Sequence, residues 1–172
     1  WQCHRLSGVE TGSEHARLVE VWSTMNIDFC NRTPLYLERF TFFAAKQLGL
    51  DELRGDIHLS YYPTLENDSY GLCWGDGKEA EIHIASKMSD RKVSKIDKMK
   101  TVAHELVHAR QFLRRELSLG GGDDECNWHG RLFRYDPQNE SEAPWEVEAV
   151  SVEQPIYEAW LTRVWQQRMG IV

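Results

Sequence analysis

Lys95-Ile96-Asp97-Lys98-Met99-Lys100-Thr101-Val102-Ala103-His104-Glu105-Leu106-Val107-His108-Ala109-Arg110-Gln111-Phe112-Leu113 is the stretch on which the fold turns. From Lys95 to Leu117 the apolar residues Ile96, Met99, Ala103, Leu106, Leu113 and Leu117 recur at three- and four-residue steps or their multiples, with no proline or glycine between them. That pattern predicts a long amphipathic helix. His104 and His108 lie beside the apolar stripe, so the helix should pack on one flank and line a cleft on the other. Four residues apart, the two imidazoles leave a helix about 40° apart around its axis and can reach one metal ion. The His-Glu-x-x-His spacing predicts zinc as that ion. Glu105 lies roughly 100° round from His104, too far to be a comfortable third ligand but close enough to touch a water on the metal. It is the candidate general base.

Composition bounds the rest. At 172 residues, 41% hydrophobic with seven Trp, the chain fits one compact domain over residues 1–172 with a sizeable core. Twenty basic residues against 27 acidic ones give a net charge of −7, which argues against a dedicated nucleic-acid binder. Lys87, Arg91, Lys92, Lys95, Lys98 and Lys100 form a local basic run, but no aromatic residue interleaves with them, so the run reads as a solvated face. No apolar stretch approaches the ~18 residues needed to span a bilayer, and no charged-then-apolar leader opens the chain. The expectation is a soluble protein without membrane contact. Cysteines at 3, 30, 73 and 126 make no Cys-x-x-Cys pair and no dense framework, which suits free thiols in a reducing cytoplasm. Trp1 as first residue leaves room for a removed leader, and with it for secretion.

Along the chain, Ser13 and Thr33-Pro34 are helix starts, predicting helices over 14–29 and 34–48, the latter stopped by Gly49. Alternating segments at 56–61, 70–74 and 81–84, with a Gly75-Asp76-Gly77 turn, predict a small antiparallel or mixed sheet. The motif helix follows, then a loop at 120–124, a strand-like piece at 128–134 and a helix over 144–168 that Pro155 kinks or restarts. The expected class is α+β, a small sheet packed on the long motif helix with flanking helices. His58 and His83 sit at alternating strand positions and read as half-buried or surface residues rather than ligands.

A catalytic zinc needs a third protein ligand and one open position for water, and three residues are candidates. Pro144-Trp145-Glu146-Val147-Glu148-Ala149 marks a helix start that could present a carboxylate. Glu146 shares a helical face with Ala149, Val150, Tyr157 and Trp160, whereas Glu148 shares one with Val152 and Pro155. His129, in Cys126-Asn127-Trp128-His129-Gly130, is the third. The plain alternatives are that the glutamates only favour a helix N-terminus and that His129 is a turn residue.

His104-Glu105-Leu106-Val107-His108-Ala109-Arg110-Gln111-Phe112, then Trp128-His129-Gly130-Arg131-Leu132-Phe133, then Pro144-Trp145-Glu146-Val147-Glu148-Ala149 resembles the small gluzincin-like metallopeptidases common in bacteriophage genomes. The resemblance spans roughly residues 55–155. It implies a zincin-like domain whose zinc is held by two histidines and a downstream glutamate. Glu146-x-x-Ala149 is similar to the ligand helix of several gluzincin families, while Glu148-Ala149-Val150-Ser151 looks like that of thermolysin-type enzymes. His129-Gly130-Arg131-Leu132-Phe133 also matches the His-Gly-x-x-Phe block of the SprT-like family, which supplies a third histidine. The segment 81–84 resembles the edge strand on which zincins lay an extended peptide.

These resemblances imply a zinc-dependent metalloendopeptidase acting on a protein or peptide substrate, in a host-cell cytoplasm if the gene is phage-borne. Glu105 would take the water proton, and Tyr135, Tyr157, Arg131 or a non-ligating His129 could stabilise the oxyanion. Two other readings stay open: an SprT-like DNA-associated protease, and a non-catalytic zinc-bearing interaction module. An intact Glu105 argues against the last, since a purely structural site has no use for a base there.

Overall fold

The computed structural model describes residues 25–30, 32–120, 125–134 and 139–171. They form an α+β arrangement with a four-stranded mixed sheet and three α-helices. Strand β1 (Met25–Cys30) is followed by helix α1 (Leu35–Gln47), then β2 (Gly55–Tyr62), β3 (Gly71–Gly75) and β4 (Glu79–Ala85). The sheet order is β1-β2-β4-β3. β1, β2 and β4 run parallel, and β3 closes one side antiparallel to β4. The parallel β1–β2 pair needs a crossover, and α1 supplies it.

Two expectations about the strands are corrected here. The helix over 14–29 does not extend through residues 25–29, which lie in β1; its earlier part falls outside the described residues. Met25, Ile27 and Phe29 alternate with the exposed Asn26 and the polar Asp28, a period of two that seats one face on β2 and the core. The segment 81–84 is not an edge, because β4 lies between β2 and β3. Among the described residues the edge strands are β1 and β3.

Helix α1 begins as expected, with Pro34 in extended conformation at its N-cap and Gly49 in the left-handed region just past its end. The motif helix α2 (Lys95–Leu113) opens with Ser94 capping the backbone N–H of Asp97. It ends four residues earlier than the apolar pattern suggests. Glu116 N–H donates to the Gln111 carbonyl and Arg115 N–H to that of Phe112, while Arg115 takes φ +58°. That is a Schellman closure with arginine in the place usually given to glycine, so no glycine marks the stop. Leu117 then opens β7 (Leu117–Leu119), which pairs with β8 (Glu125–Trp128) and through it with β9 (Arg131–Arg134).

Helix α3 (Pro144–Arg168) passes through Pro155 without ending or restarting there. It packs on α2, and α2 lies over β3 and β4. Leu37 and Phe40 of α1, Ile57 and Leu59 of β2, and Val102 and Leu106 of α2 are fully buried together. Each contributes roughly 1.5–3 kcal/mol of apolar burial, so α2 is anchored by its inner face while its other flank stays free for chemistry. The basic run is less uniform than a solvated face. Lys87 and Lys92 form a two-stranded ribbon, β5 (Lys87–Met88) with β6 (Arg91–Lys92), but Lys98 is buried and donates to the Tyr61 hydroxyl at 2.9 Å. Among the described residues no helix is long and apolar enough to cross a membrane.

Candidate metal centre

Where α2 meets the first turn of α3, three side chains converge. His104 Nε2 lies 3.1 Å from His108 Nε2. The Glu146 carboxylate spans both rings, one oxygen 3.1 Å from His104 Nε2 and the other 3.2 Å from His108 Nε2. Among the described residues these three form the one group of histidine, cysteine or acidic side chains whose ligand atoms are close enough to share a metal ion. Tetrahedral zinc with bonds of 2.0–2.2 Å would set its ligand atoms about 3.3–3.5 Å apart. The two imidazole nitrogens meet that spacing to within a few tenths of an ångström, and the carboxylate offers a different oxygen to each ring, so that one ligand atom from each of the three residues lies within 4.8 Å of the others.

The hydrogen bonds behind the rings decide which nitrogen is offered. His108 Nδ1 lies 2.9 Å from Gln111 Oε1, and the Gln111 amide nitrogen donates to the Trp145 carbonyl at 3.1 Å and to Glu148 at 2.7 Å. With its amide nitrogen so committed, Gln111 presents an acceptor to His108, so in the neutral ring Nδ1 carries the hydrogen and Nε2 the lone pair. His104 Nδ1 lies 2.9 Å from a Glu153 carboxylate oxygen, which imposes the same tautomer on the neutral ring. Metal-binding histidines are characteristically oriented in this way.

Charge is concentrated at the cluster. Burial disfavours charge on His104, but the hydrogen bond to Glu146, the Glu105 charge and the Glu153 contact outweigh it and lift the pKa to about 9. His108 is raised as well, its burial again outweighed by Glu146. Burial opposes ionisation of Glu146, yet the hydrogen bonds from both imidazoles hold its pKa at about 2. Glu105 goes the other way. Burial lifts its pKa to about 7 against the attraction of His108 and His104. A base poised near neutrality suits proton transfer.

Glu105 borders a cavity of about 400 Å³ together with Tyr70, Gly71, Thr101, His104 and Glu153. Gly71 is what lets β3 approach so closely. A Cβ there would stand 2.5 Å from Glu105 Oε1 and 2.6 Å from Thr101 Cγ2. Beyond the histidines a second cavity of about 280 Å³ opens beside His108 and Glu146, with Cys73, Phe112 and Trp145 in its wall. Burial, then the Glu105 charge, push the Cys73 thiol well above its ordinary pKa, so it stays neutral; Cys73 and Cys126 are both free.

The other sequence candidates lie apart from the cluster. Glu148 points to Arg110, at 2.5 Å, and to Gln111, so it braces the amide that orients His108 rather than joining the triangle. Its separation from Glu146 by two residues, about 200° of helix, puts the two carboxylates on different sides. His129 occupies the β8–β9 turn with φ +49°, followed by Gly130 at +76°, and packs on the Trp128 ring. Both left-handed positions belong to a tight hairpin turn. Tyr157 packs against the main core, Arg131 is exposed, and Tyr135 falls outside the described residues. Neither Tyr157 nor Arg131 borders the two cavities beside the histidines. His58 pairs with Asp28, and His83 sits between the Tyr62 and Trp74 rings, both away from the centre. Sequence reasoning passed over Gln111, Glu153 and Gly71. Spacing could have found the first two, since Gln111 is one turn beyond His108 and Glu153 two turns beyond Glu146.

Searches with the chain found no matching protein-family model, no matching curated protein and no matching solved structure.

Proposed function

We propose that the chain is a zinc-dependent metallopeptidase with a zincin-like fold, its metal held by His104, His108 and Glu146. The convergence of both Nε2 atoms, 3.1 Å apart, with the Glu146 carboxylate that spans them, each imidazole braced from behind, carries this reading. The mixed sheet supports it too, since its antiparallel edge strand β3 passes beside Glu105. A zinc ion bound there would supply a Lewis acid and an acidified water. Gln111 and Glu153 fix the two rings so that both Nε2 lone pairs face one point. Glu105, next to the cavity that can admit a substrate, takes the proton from the attacking water and passes it to the leaving amine. Glu148 holds Gln111 in register through its carboxylate.

Glu105→Gln in the zinc-loaded protein separates base from ligand. Zinc content should stay at the wild-type level while peptide hydrolysis falls by at least ~10²-fold, the usual cost of losing a general base. Undiminished hydrolysis by a clean Glu105→Gln preparation would contradict the mechanism.

A further inference from the structure

The two cavities divide at the metal cluster, and they differ in chemistry. Along α2 the first spans Asp97 to Glu105 and the second His108 to Phe112; along β3 the first lies at Gly71, the strand's first residue, with Tyr70 just before it, and the second at Cys73. β3 therefore runs from one cavity to the other past the cluster. Its outer edge pairs with no other strand among the described residues. The first cavity gathers the carboxylates of Asp97, Glu105 and Glu153 against the single ammonium of Lys100. The second has an apolar wall of Phe112, Leu117, Leu119, Cys126 and Trp145 with Cys73, and its polar groups other than the two ligands are Ser118 and Glu125.

From this asymmetry we infer a substrate class: polypeptide segments with a large apolar side chain just before the cleaved bond and a basic one just after it. The inference rests on the peptidase reading above. An extended segment can add to the free edge of β3 by backbone pairing. Antiparallel pairing is the more stable geometry per residue, and it sets the polarity. β3 runs from the acidic cavity toward the apolar one, so the added segment runs the opposite way. Its amino-terminal half lies over Cys73 and the apolar cavity, and its carboxy-terminal half over Gly71 and the acidic cavity. Successive side chains of an extended chain alternate in direction, so the selected residues lie within two positions of the bond on either side. Apolar burial favours Phe, Leu or Met in the second, apolar cavity, which lies under the amino-terminal half. Beside the one ammonium, the Asp97 and Glu153 carboxylates, which do not serve as the base, favour Lys or Arg in the other.

The test is cleavage of a degenerate peptide pool by the zinc-loaded full chain, with the cut sites read by mass spectrometry. Enrichment of Phe, Leu or Met within two residues before the cut and of Lys or Arg within two after it is the expected result. Leu119 stands at the rim of the apolar cavity and is 73% exposed, so replacing it should leave the fold intact. Leu119→Glu should raise KM for the best apolar peptide by about tenfold, the scale of losing one apolar contact, with kcat unchanged. It should also bring Lys and Arg into the position before the cut. Cuts without side-chain preference, or with the apolar residue after the bond, would overturn the inference while leaving the peptidase reading in place. Zinc bound at one ion per chain with no peptide of any composition cleaved would overturn that reading, and this inference with it.

Discussion

Helices α2 and α3 both deliver side chains to the same centre, but they are held in different ways. Twelve of the nineteen residues of α2 are buried, whereas in α3, which is six residues longer, the buried ones are Trp145, Ala149 and Ile156. Two of those three flank Glu146 within one turn. The backbone beneath the α2 imidazoles is thus held by the core, with Gln111 and Glu153 orienting the rings, while the α3 carboxylate depends on a short contact in which the fully buried Ala149 lets the helices close up. The lesson is that the α2 side of the centre rests on broad packing plus two polar braces and the α3 side on one narrow contact, and the two sides should respond differently to substitution.

The polar braces offer the strongest way to break that contrast. Glu153→Gln removes the carboxylate behind His104, and Gln111→Leu removes the acceptor behind His108. Each should weaken zinc binding by about 10–100-fold, as losses behind metal ligands typically do, with circular dichroism unchanged. Competition with a chromogenic chelator measures this. If affinity is unmoved in both variants, the helices alone position the rings.

Protons compete with the metal for the same atoms, and the sign follows from the shifts. The His104 pKa in the zinc-free fold, about 9, lies above the unfolded value of 6.5. Its stabilisation is therefore full below about pH 6.5 and is lost as pH rises through about 9. Glu146, held at about 2 against 4.5, stabilises above pH 4.5 and loses that contribution as pH falls toward 2. Glu105, raised to about 7 from 4.5, adds a cost that grows between those values as it ionises. All three place the greatest thermal stability of the zinc-free protein in mildly acidic buffer, falling toward pH 9. Zinc must displace the imidazole protons, so its affinity should climb by about tenfold per pH unit per proton released between pH 6.5 and 9. Titration calorimetry in buffers of different ionisation enthalpy would count those protons, and a pH-independent affinity would remove the imidazoles from the ligand set.

Gly71→Ala probes the third element of the site, the edge strand. The atoms nearest the added methyl belong to Glu105 and Thr101 on α2. Turnover should fall by about tenfold, since displacements on the order of 1 Å at a reacting group are costly, while zinc stoichiometry stays constant. Loss of zinc instead would mean that β3 supports the whole centre and not Glu105 alone.

The same contrast explains what could be read from the residues beforehand. His104, Glu105 and His108 are legible because helix spacing alone brings them to one side, and α1 and α3 because proline and glycine mark their ends. Glu146 could be favoured as the third ligand, with Glu148 and His129 left as alternatives. A helical face groups it with Ala149 and Val150, yet only Ala149 of those two is buried, and which carboxylate meets the histidines depends on how α3 docks. The His129-Gly130 block matches a ligand motif in letters, but its left-handed dihedrals belong to a hairpin turn, a context one residue pattern does not encode. β1 was read as helix because a two-residue period over six residues is a weak signal beside the preceding helix-like run. The Arg115 closure of α2 went unseen because arginine does not announce a left-handed position.

The ligand set is the central claim, and zinc stoichiometry by plasma mass spectrometry of the purified chain and three variants tests it most directly. The account predicts about one zinc per chain in the parent, in His129→Ala and, with weakened affinity, in Glu148→Ala, but collapse in Glu146→Ala, because among the described residues only Glu146 brings a carboxylate to the Nε2 atoms of both histidines. Zinc retained in Glu146→Ala and lost from His129→Ala would contradict it, and would require the centre to be rebuilt around three histidines.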